Sequence, residues 1–280
     1  MQALGLVDYS KPDAQRQFSD SLLQTGFAIL INHPISQRLI SSTYQDWAAF
    51  FASESRWDYL FSTQTQMGYV PPNKSETAKG YGLKDLKEFY NVRDISLCPM
   101  YTQEHTRELR SEMLKLADIL LDWIEGEMPG VAREKLVSSL KDMVLESQEH
   151  LLRPIHYPPL TGHEAERAVR SAAHEDMNLI TLLPAGTAPG LQVKDLKGVW
   201  HEVNCGPGDM IINTAEMLQI ATAGYYKATT HQVVNPSGDA AHRYRYSMPF
   251  FMHPRKDAYL THARTADDFL KDRLIELGLF

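Results

Sequence analysis

Two groups that bind metal ions well, the imidazole of His174 and the carboxylate of Asp176, stand one residue apart in the stretch AAHEDMNLITLL. A run of apolar and β-branched residues follows almost at once and is typical of a buried strand. Taken alone, such a pair could be a surface accident. A metal site would need a third ligand from a distant part of the chain, because such sites form where separate strands converge.

The third ligand is predicted to be His231, which opens a short strand in the stretch YKATTHQVV after a turn at Gly224. Two imidazoles and one carboxylate on one face of a metal ion leave the opposite positions open for other ligands. This donor set is typical of the non-haem Fe(II) oxygenases. We therefore interpret His174, Asp176 and His231 as a candidate Fe(II) site.

Arg245 follows His231 by fourteen residues, and Ser247 lies two residues further on. Residues two apart on a strand point to the same face, so their side chains could act together. A guanidinium and a hydroxyl could hold the far carboxylate of a dicarboxylic acid whose other end chelates the iron. Arg243 lies on the same face two residues earlier and is the alternative, but the spacing to Ser247 favours Arg245.

These motifs have the order found in the 2-oxoglutarate/Fe(II)-dependent dioxygenases of the isopenicillin N synthase-like group, the iron/ascorbate oxidoreductases, which the chain resembles over nearly its whole length. The stretches that carry the resemblance are VDYS, GFAILINHPIS, GYGLKDLKEFYNV, HEDMNLITLL, GLQV, NTAEMLQIATAGYYKATTHQVV and RYSMPFF. The resemblance implies a mainly β protein with flanking helices and a core that is a distorted double-stranded β-helix, the jelly roll of cupin-like proteins. It also implies Fe(II), 2-oxoglutarate and dioxygen as cofactor and co-substrates, with ascorbate as a reductant.

The resemblance implies a reaction and a role for each site residue. The reaction is oxidation of a small-molecule substrate, by default hydroxylation, with release of succinate and CO2. Iron is assigned to His174, Asp176 and His231, and the 2-oxoglutarate carboxylate distal to iron is assigned to Arg245, Ser247 and Tyr157.

Two positions depart from the family pattern. Ile155 stands where the family usually has Asn, which affects the expected contact with the carboxylate of 2-oxoglutarate nearer the iron. Glu175 stands where Thr is common, and its side chain is expected to point away from the metal. His156 also faces away from Tyr157 by strand alternation and is therefore left out of the site.

Two other functions stay open on the sequence alone. Some relatives oxidise their substrate directly without 2-oxoglutarate, and Arg245 and Ser247 would then bind a substrate carboxylate. The second alternative is a metal-containing small-molecule sensor without turnover. Release of succinate distinguishes a 2-oxoglutarate-dependent enzyme from both alternatives.

Substrate contacts are expected in the segment 67–93, a Gly- and Pro-rich loop followed by the strand-like stretch LKEFYNV. Long loops inside compact domains are more often functional than not. The resemblance places this segment over the mouth of the barrel. The candidate contacts are Tyr69, Phe89, Asn91 and Arg93, of which the last three alternate onto one strand face. An ordinary core or surface role is the alternative for each of them.

The elements that must position these residues follow from hydrophobic spacing. Helices are predicted over 11–24, 36–51, 105–127 and 132–150 and near the C-terminus after Thr265 as N-cap, with a buried strand within 25–33. Many short apolar runs between residues 152 and 254 predict an all-β sandwich or barrel. We expect one globular unit with four regions. Residues 1–104 form an N-terminal region that packs on the barrel and lines its mouth, and residues 105–150 form a helical support. Residues 151–255 form the catalytic core, and residues 256–280 form a closing helix.

Composition excludes several function classes. Lys and Arg number 28 against 35 Asp and Glu, so the net charge of −7 argues against a nucleic-acid partner. Two distant cysteines indicate neither a disulfide framework nor a cysteine-rich zinc module. No window approaches the ~18 continuous apolar residues of a membrane span, and the N-terminus lacks the basic region of a signal peptide. We expect a cytoplasmic monomer or homodimer.

Overall fold

The computed structural model describes residues 4–77 and 82–276. The helices in these residues are α1 Ala14–Thr25, α2 Gln37–Ala52, α3 Met100–Gly126, α4 Gly130–Arg133, α5 Leu140–Val144, α6 Glu216–Ala221 and α7 Ala266–Glu276. The first eight strands are β1 Gly5–Asp8, β2 Phe27–Ile31, β3 Gly68–Val70, β4 Glu88–Asn91, β5 Leu151–Leu152, β6 Ile155–Tyr157, β7 Ser171–His174 and β8 Ile180–Pro184. The others are β9 Leu191–Lys194, β10 Trp200–Glu202, β11 Met210–Thr214, β12 His231–Val233, β13 Arg245–Ser247, β14 Phe250–Met252, β15 Tyr259–Thr261 and β16 Arg264–Thr265.

The described strands form three larger sheets and one hairpin. The largest sheet has the order β1-β2-β11-β8-β14-β5, and two four-stranded sheets have the orders β10-β9-β12-β7 and β13-β6-β4-β3. Strands β15 and β16 form the hairpin. β1 pairs with β2 in parallel, whereas the neighbouring pairs β2 with β11 and β11 with β8 are antiparallel. The predicted mainly β core with flanking helices is confirmed.

The central strands β2, β11 and β8 of the six-stranded sheet are buried on both faces, which explains why they read as largely apolar runs. Ala28 and Leu30 of β2 face an outer cluster that includes side chains of α1, α2 and α3, whereas Phe27 and Ile29 face inward. We call the inward set the inner cluster; its buried members are Phe27, Ile29, Val70, Phe89, Ile155, Tyr157, Leu191, Val193, Val203, Ile211 and Val233. Because these residues come from strands of all three sheets, the inner cluster holds the sheets together.

Most of the predicted helices are confirmed. The helix predicted over 105–127 is α3, which begins earlier, at Met100, and ends at Gly126. Thr265 caps α7 as expected: its Oγ1 accepts from the backbone N–H of Asp268 at 3.2 Å, and Asp268 Oδ2 accepts from the N–H of Thr265 at 3.0 Å. This reciprocal pair satisfies two backbone donors that the helix itself leaves free. None of the helices within 4–77 and 82–276 combines the length and apolarity needed to span a bilayer.

The continuous helix predicted over 132–150 is wrong. Two short helices, α4 and α5, occupy its first part, and the segment then runs into β5. The hydroxyl of Ser139 accepts a hydrogen bond from the N–H of Asp142 at 3.0 Å, so a new helix begins there. Glu146 has a φ of 57°, which ends the helical path. Local capping and turn chemistry therefore outweigh the apolar spacing in this segment.

The segment between β3 and β4 connects two sheets. The N–H of Leu86 donates to the carbonyl of Val169 at 2.9 Å, and Asp85 Oδ1 accepts from the N–H of Ala172 at 3.0 Å. Ala172 belongs to β7, whereas β4 belongs to the sheet β13-β6-β4-β3. The loop therefore fixes the position of β7, the strand that ends at His174.

Candidate active site

Strand pairing brings the three predicted metal ligands together. His174 ends β7 and His231 begins β12, and the two residues are direct partners in the antiparallel ladder. Their ring centres lie 4.4 Å apart. Asp176 follows β7 by two residues, and its Oδ1 lies 3.8 Å from Nε2 of His174 and 3.7 Å from Nε2 of His231. One ligand atom from each residue lies within 4.8 Å of the others, so a single ion could contact all three.

Backbone carbonyls orient both imidazoles toward this point. Nδ1 of His174 lies 2.8 Å from the carbonyl oxygen of Ala172, and Nδ1 of His231 lies 3.2 Å from that of Thr229. Because a carbonyl oxygen only accepts, Nδ1 carries a proton in each ring, which leaves Nε2 as the nitrogen available to a metal ion. Burial lowers the pKa of His231 to about 4, although the carboxylate of Asp176 opposes the shift. His231 is therefore neutral at neutral pH, in the form that binds a metal ion.

Asp176 is buried, and one of its two oxygens is already used. Oδ2 accepts hydrogen bonds from the Thr181 hydroxyl at 2.7 Å and from Nδ2 of Asn213 at 2.9 Å. Burial works to raise the pKa of Asp176, but the two imidazoles and these two donors hold it below its usual value. The carboxylate is therefore ionised, with Oδ1 directed at the two imidazoles, and its supporting donors fix the orientation.

Thr181→Val is expected to weaken Fe(II) binding roughly 10- to 100-fold, because it removes a donor that orients a ligand carboxylate. The matched control is Thr214→Val. Thr214 is equally buried, but its hydroxyl donates to the carbonyls of Lys227 and Gly26 and does not contact Asp176. Anaerobic Fe(II) titration of both variants measures the effect. Equal iron affinity in the two variants would show that the Thr181 hydroxyl does not support the site.

Arg245 is a buried cation with unused donors. It stands opposite Tyr157 in the ladder between β13 and β6, and its guanidinium carbon lies 4.9 Å from the centre of the Tyr157 ring. The residue is 2% exposed. Its Nε donates to the carbonyl of Ala188 at 3.0 Å, whereas Nη1 has no hydrogen-bond partner among the described residues. Since a buried cation without a counter-ion is costly, this arrangement suits an anionic ligand.

Ser247 and Arg243 occupy different environments. Ser247 lies two residues beyond Arg245 on β13 and is buried, so the two side chains share a strand face. Arg243 lies outside β13 and is exposed. Ile155 pairs with Ser247 across the ladder and belongs to the inner cluster, so it offers only apolar contacts. The geometry brings together Arg245, Ser247 and Tyr157 and leaves Arg243 outside.

The predicted substrate contacts separate into three places. Phe89 belongs to the inner cluster, and Oδ1 of Asn91 accepts from Nε of Arg153 at 2.9 Å. Tyr69 packs in the outer cluster and donates its hydroxyl to Glu88. Arg93 lies beyond the end of β4 and donates to the carbonyl of Glu149 at 2.6 Å, so only Phe89 and Asn91 share the strand face.

Glu175 and His156 are each engaged by side chains other than the three candidate metal ligands. Glu175 Oε1 accepts from the hydroxyl of Thr230 at 3.1 Å. Nδ1 of His156 lies 2.6 Å from Glu88 Oε1, and its ring stacks on Tyr246 with centres 4.9 Å apart.

A group of charged residues beside the site was missed from the sequence. We call it the charge cluster; its members are Glu76, Asp85, Lys87 and Arg153. Lys87 Nζ lies 2.8 Å from Asp85 Oδ2 and 3.1 Å from Glu76 Oε2, and Nη1 of Arg153 donates to Glu76 Oε1 at 2.7 Å. Desolvation works to raise the pKa of Glu76, but Arg153 and Lys87 hold it well below its usual range. No local pattern marks these residues, because Glu76 and Arg153 are 77 positions apart.

Two family profiles match most of the chain. Residues 148–254 match the 2OG-Fe(II) oxygenase superfamily, where 2OG stands for 2-oxoglutarate. Residues 3–109 match the N-terminal family described as non-haem dioxygenase in morphine synthesis. The first match contains His174, Asp176, His231 and Arg245.

Similar proteins agree with these matches. A Shewanella oneidensis protein classed as an oxygenase is 42% identical, with a TM-score of 0.89 and full coverage of both chains. A Caulobacter crescentus protein of the 2OG-Fe(II) oxygenase family is 29% identical, with a TM-score of 0.81, over 99% of this chain and 100% of that one. A 2-oxoglutarate-Fe(II) type oxidoreductase of Aspergillus fumigatus is 33% identical over 61% of this chain, which spans 44% of that relative's length.

Proposed function

The chain belongs to the 2OG-Fe(II) oxygenase superfamily, and from this premise we propose how its residues bind iron and 2-oxoglutarate to oxidise a small organic substrate. The single observation that carries the proposal is the convergence of the His174, Asp176 and His231 ligand atoms. Two imidazoles and one carboxylate form the donor set that suits Fe(II) with open positions for other ligands. These three side chains hold the iron in our proposal.

The 2-oxoglutarate site is proposed at Arg245, Ser247 and Tyr157. Nη1 of Arg245, which has no hydrogen-bond partner within residues 4–77 and 82–276, can donate to a carboxylate, and the Ser247 hydroxyl on the same face can add a second donor. Tyr157 limits the space beside the guanidinium. These residues would orient the co-substrate through the carboxylate distal to iron, while its keto acid end reaches the metal. Ile155 adds only apolar surface there.

When bound, iron and 2-oxoglutarate together with dioxygen supply the oxidising power, and the protein supplies position and shielding. The buried Asp176 keeps its negative charge through the two imidazoles and the Asn213 and Thr181 donors. The apolar inner cluster adjoins the co-substrate site through Tyr157 and excludes water from it. Hydroxylation of the substrate, with release of succinate and CO2, is the proposed outcome.

We extend the proposal to the architecture. The sheet β10-β9-β12-β7 packs against the six-stranded sheet through the side chains of the inner cluster. This packing supports a distorted double-stranded β-helix as the core. In this proposal residues 151–255 form the catalytic core, 1–104 cover its mouth, 105–150 support it and 256–280 close it. Phe89 and Asn91 are proposed to face the substrate, whereas Tyr69 is already engaged by Glu88.

Succinate production tests the proposed reaction against direct oxidation. The protein is incubated in air with Fe(II), ascorbate and 2-oxoglutarate, and succinate is measured by mass spectrometry. We expect succinate to form in an amount that depends on Fe(II). Consumption of dioxygen without succinate would favour a direct oxidase in which Arg245 binds the substrate itself.

A further inference from the structure

Arg153 is a cation at the site that neither iron nor 2-oxoglutarate uses in the function proposed above. It follows β5 directly, and its guanidinium carbon lies 4.5 Å from the centre of the Phe89 ring and 5.5 Å from that of Phe251. Nε donates to Asn91 and Nη1 to Glu76. An arginine whose charge lies against two phenyl rings combines an anion-binding group with apolar walls.

Strand register places this group beside the metal ligands. Phe251 of β14 is the direct partner of Thr181 of β8, so both side chains point to the same face of the sheet. The Thr181 hydroxyl donates to Asp176, so that face is the one that carries the ligand carboxylate. Phe89, the other ring beside Arg153, belongs to the inner cluster together with Tyr157. Arg153 therefore lies in the same interior space as the proposed iron and 2-oxoglutarate sites.

Glu76 is the replaceable member of the charge cluster. Its side chain is 43% exposed, and it lies outside regular structure after a short turn of 3₁₀ helix at Pro72–Lys74. Asp85, by contrast, is buried and tied to β7 through the N–H of Ala172. Lys87 keeps Asp85 as a partner at 2.8 Å if Glu76 moves away. Only the Arg153 guanidinium would then need a new anion.

Charge balance indicates what could replace Glu76. The cluster has two cations, Lys87 and Arg153, and two carboxylates, Glu76 and Asp85. A ligand carboxylate that takes the place of Glu76 on Arg153 keeps this balance. A neutral ligand would leave a largely desolvated guanidinium unpaired, which is costly. Replacement of Glu76 by a ligand on Arg153 therefore favours a ligand with one carboxylate.

We propose that Arg153 anchors a carboxylate of the substrate and that Glu76 holds this position until the substrate displaces it. This inference rests on the proposed function, because it assigns the substrate class of the same site. The substrate is a small organic monocarboxylate whose aromatic or aliphatic part packs against Phe89 and Phe251. The partly exposed side chain of Glu76 swings toward solvent when the substrate binds.

The test is calorimetry on anaerobic protein loaded with Fe(II) and 2-oxoglutarate. The probes are aromatic and aliphatic monocarboxylates, from acetate to 4-phenylbutyrate, and each acid is compared with its primary amide. We expect wild type to bind apolar acids in preference to their amides. Arg153→Gln should weaken acid binding roughly 10- to 100-fold, because a charge-assisted hydrogen bond is lost, and should change amide binding little. Glu76→Gln should strengthen acid binding roughly tenfold, because a competing anion is removed.

The opposite effects of the two substitutions on acid binding distinguish a substrate anchor from an ion pair that only holds the loop in place. If Arg153 and Glu76 only held the loop, both variants would weaken acid and amide binding alike, and the proposal would be overturned. Absence of any preference for acids over amides in wild type would overturn it as well. Arg16→Gln, an exposed change on α1, controls for the loss of one positive charge. The visible absorption of the iron chelate in the same samples reports separately on the proposed function, because its absence would contradict that function itself.

Discussion

Replacement of Asp176 by asparagine is expected to abolish iron-dependent turnover while the fold is retained. The amide oxygen of asparagine can still accept from Thr181 and Asn213, so the buried donors keep a partner. The group that then faces the two imidazoles is a neutral NH2 in place of an anionic oxygen. We expect Fe(II) affinity to fall by more than the roughly 10- to 100-fold that follows loss of a supporting residue.

The measurements for Asp176→Asn are anaerobic Fe(II) titration, succinate production and thermal unfolding. His231→Gln is the companion variant, since it removes a ligand imidazole at an intermediate level of burial. Both variants should unfold cooperatively near the wild-type temperature in the absence of metal. Wild-type iron affinity in folded Asp176→Asn would mean that the metal is held elsewhere.

Arg245→Gln is expected to raise the 2-oxoglutarate concentration needed for half-saturation roughly 10- to 100-fold, with Fe(II) affinity unchanged. Wild-type Arg245 is 2% exposed, and its Nη1 has no partner in the described part of the chain, so most of its favourable electrostatic interaction must come from a bound anion. For the same reason, removal of this charge should not lower the stability of the protein without co-substrate.

Arg243→Gln is the matched control, because it makes the same change two residues away at an exposed position. Saturating 2-oxoglutarate should raise the unfolding temperature of wild type and of Arg243→Gln, since a ligand stabilises the state it binds. The unfolding temperature of Arg245→Gln should rise much less. Equal responses in the two arginine variants would remove Arg245 from the co-substrate site.

The convergence of His174, Asp176 and His231 could be predicted because their positions follow from strand geometry. A His-x-Asp pair lies at the end of one strand, and a histidine lies at the start of another. These residues converge if the two strands are neighbours in a sheet, and β7 pairs with β12 at those positions. The direction of His156 followed from alternation in the same way. The apolar run of β2 predicted a buried strand, because both faces of its sheet are covered.

The remaining features depend on contacts that no local pattern encodes. The charge cluster joins Glu76 to Arg153 and Lys87, and the loop that carries Glu76 takes its position from hydrogen bonds to distant strands. The break in the helix predicted over 132–150 depends on the capping by Ser139 and the backbone conformation of Glu146, which outweigh a favourable apolar spacing. Sequence spacing therefore predicted the convergence of the three candidate ligands but not the charge cluster beside them.

The most direct test of the joint iron and 2-oxoglutarate site is an anaerobic absorption titration. Fe(II) is added to the metal-free protein, 2-oxoglutarate follows, and the visible spectrum is recorded for wild type. We expect a weak charge-transfer band that saturates at one equivalent of iron per chain and appears only after 2-oxoglutarate is added. Bound iron without any such band would contradict a site in which His174, Asp176 and His231 leave positions open for a chelating co-substrate.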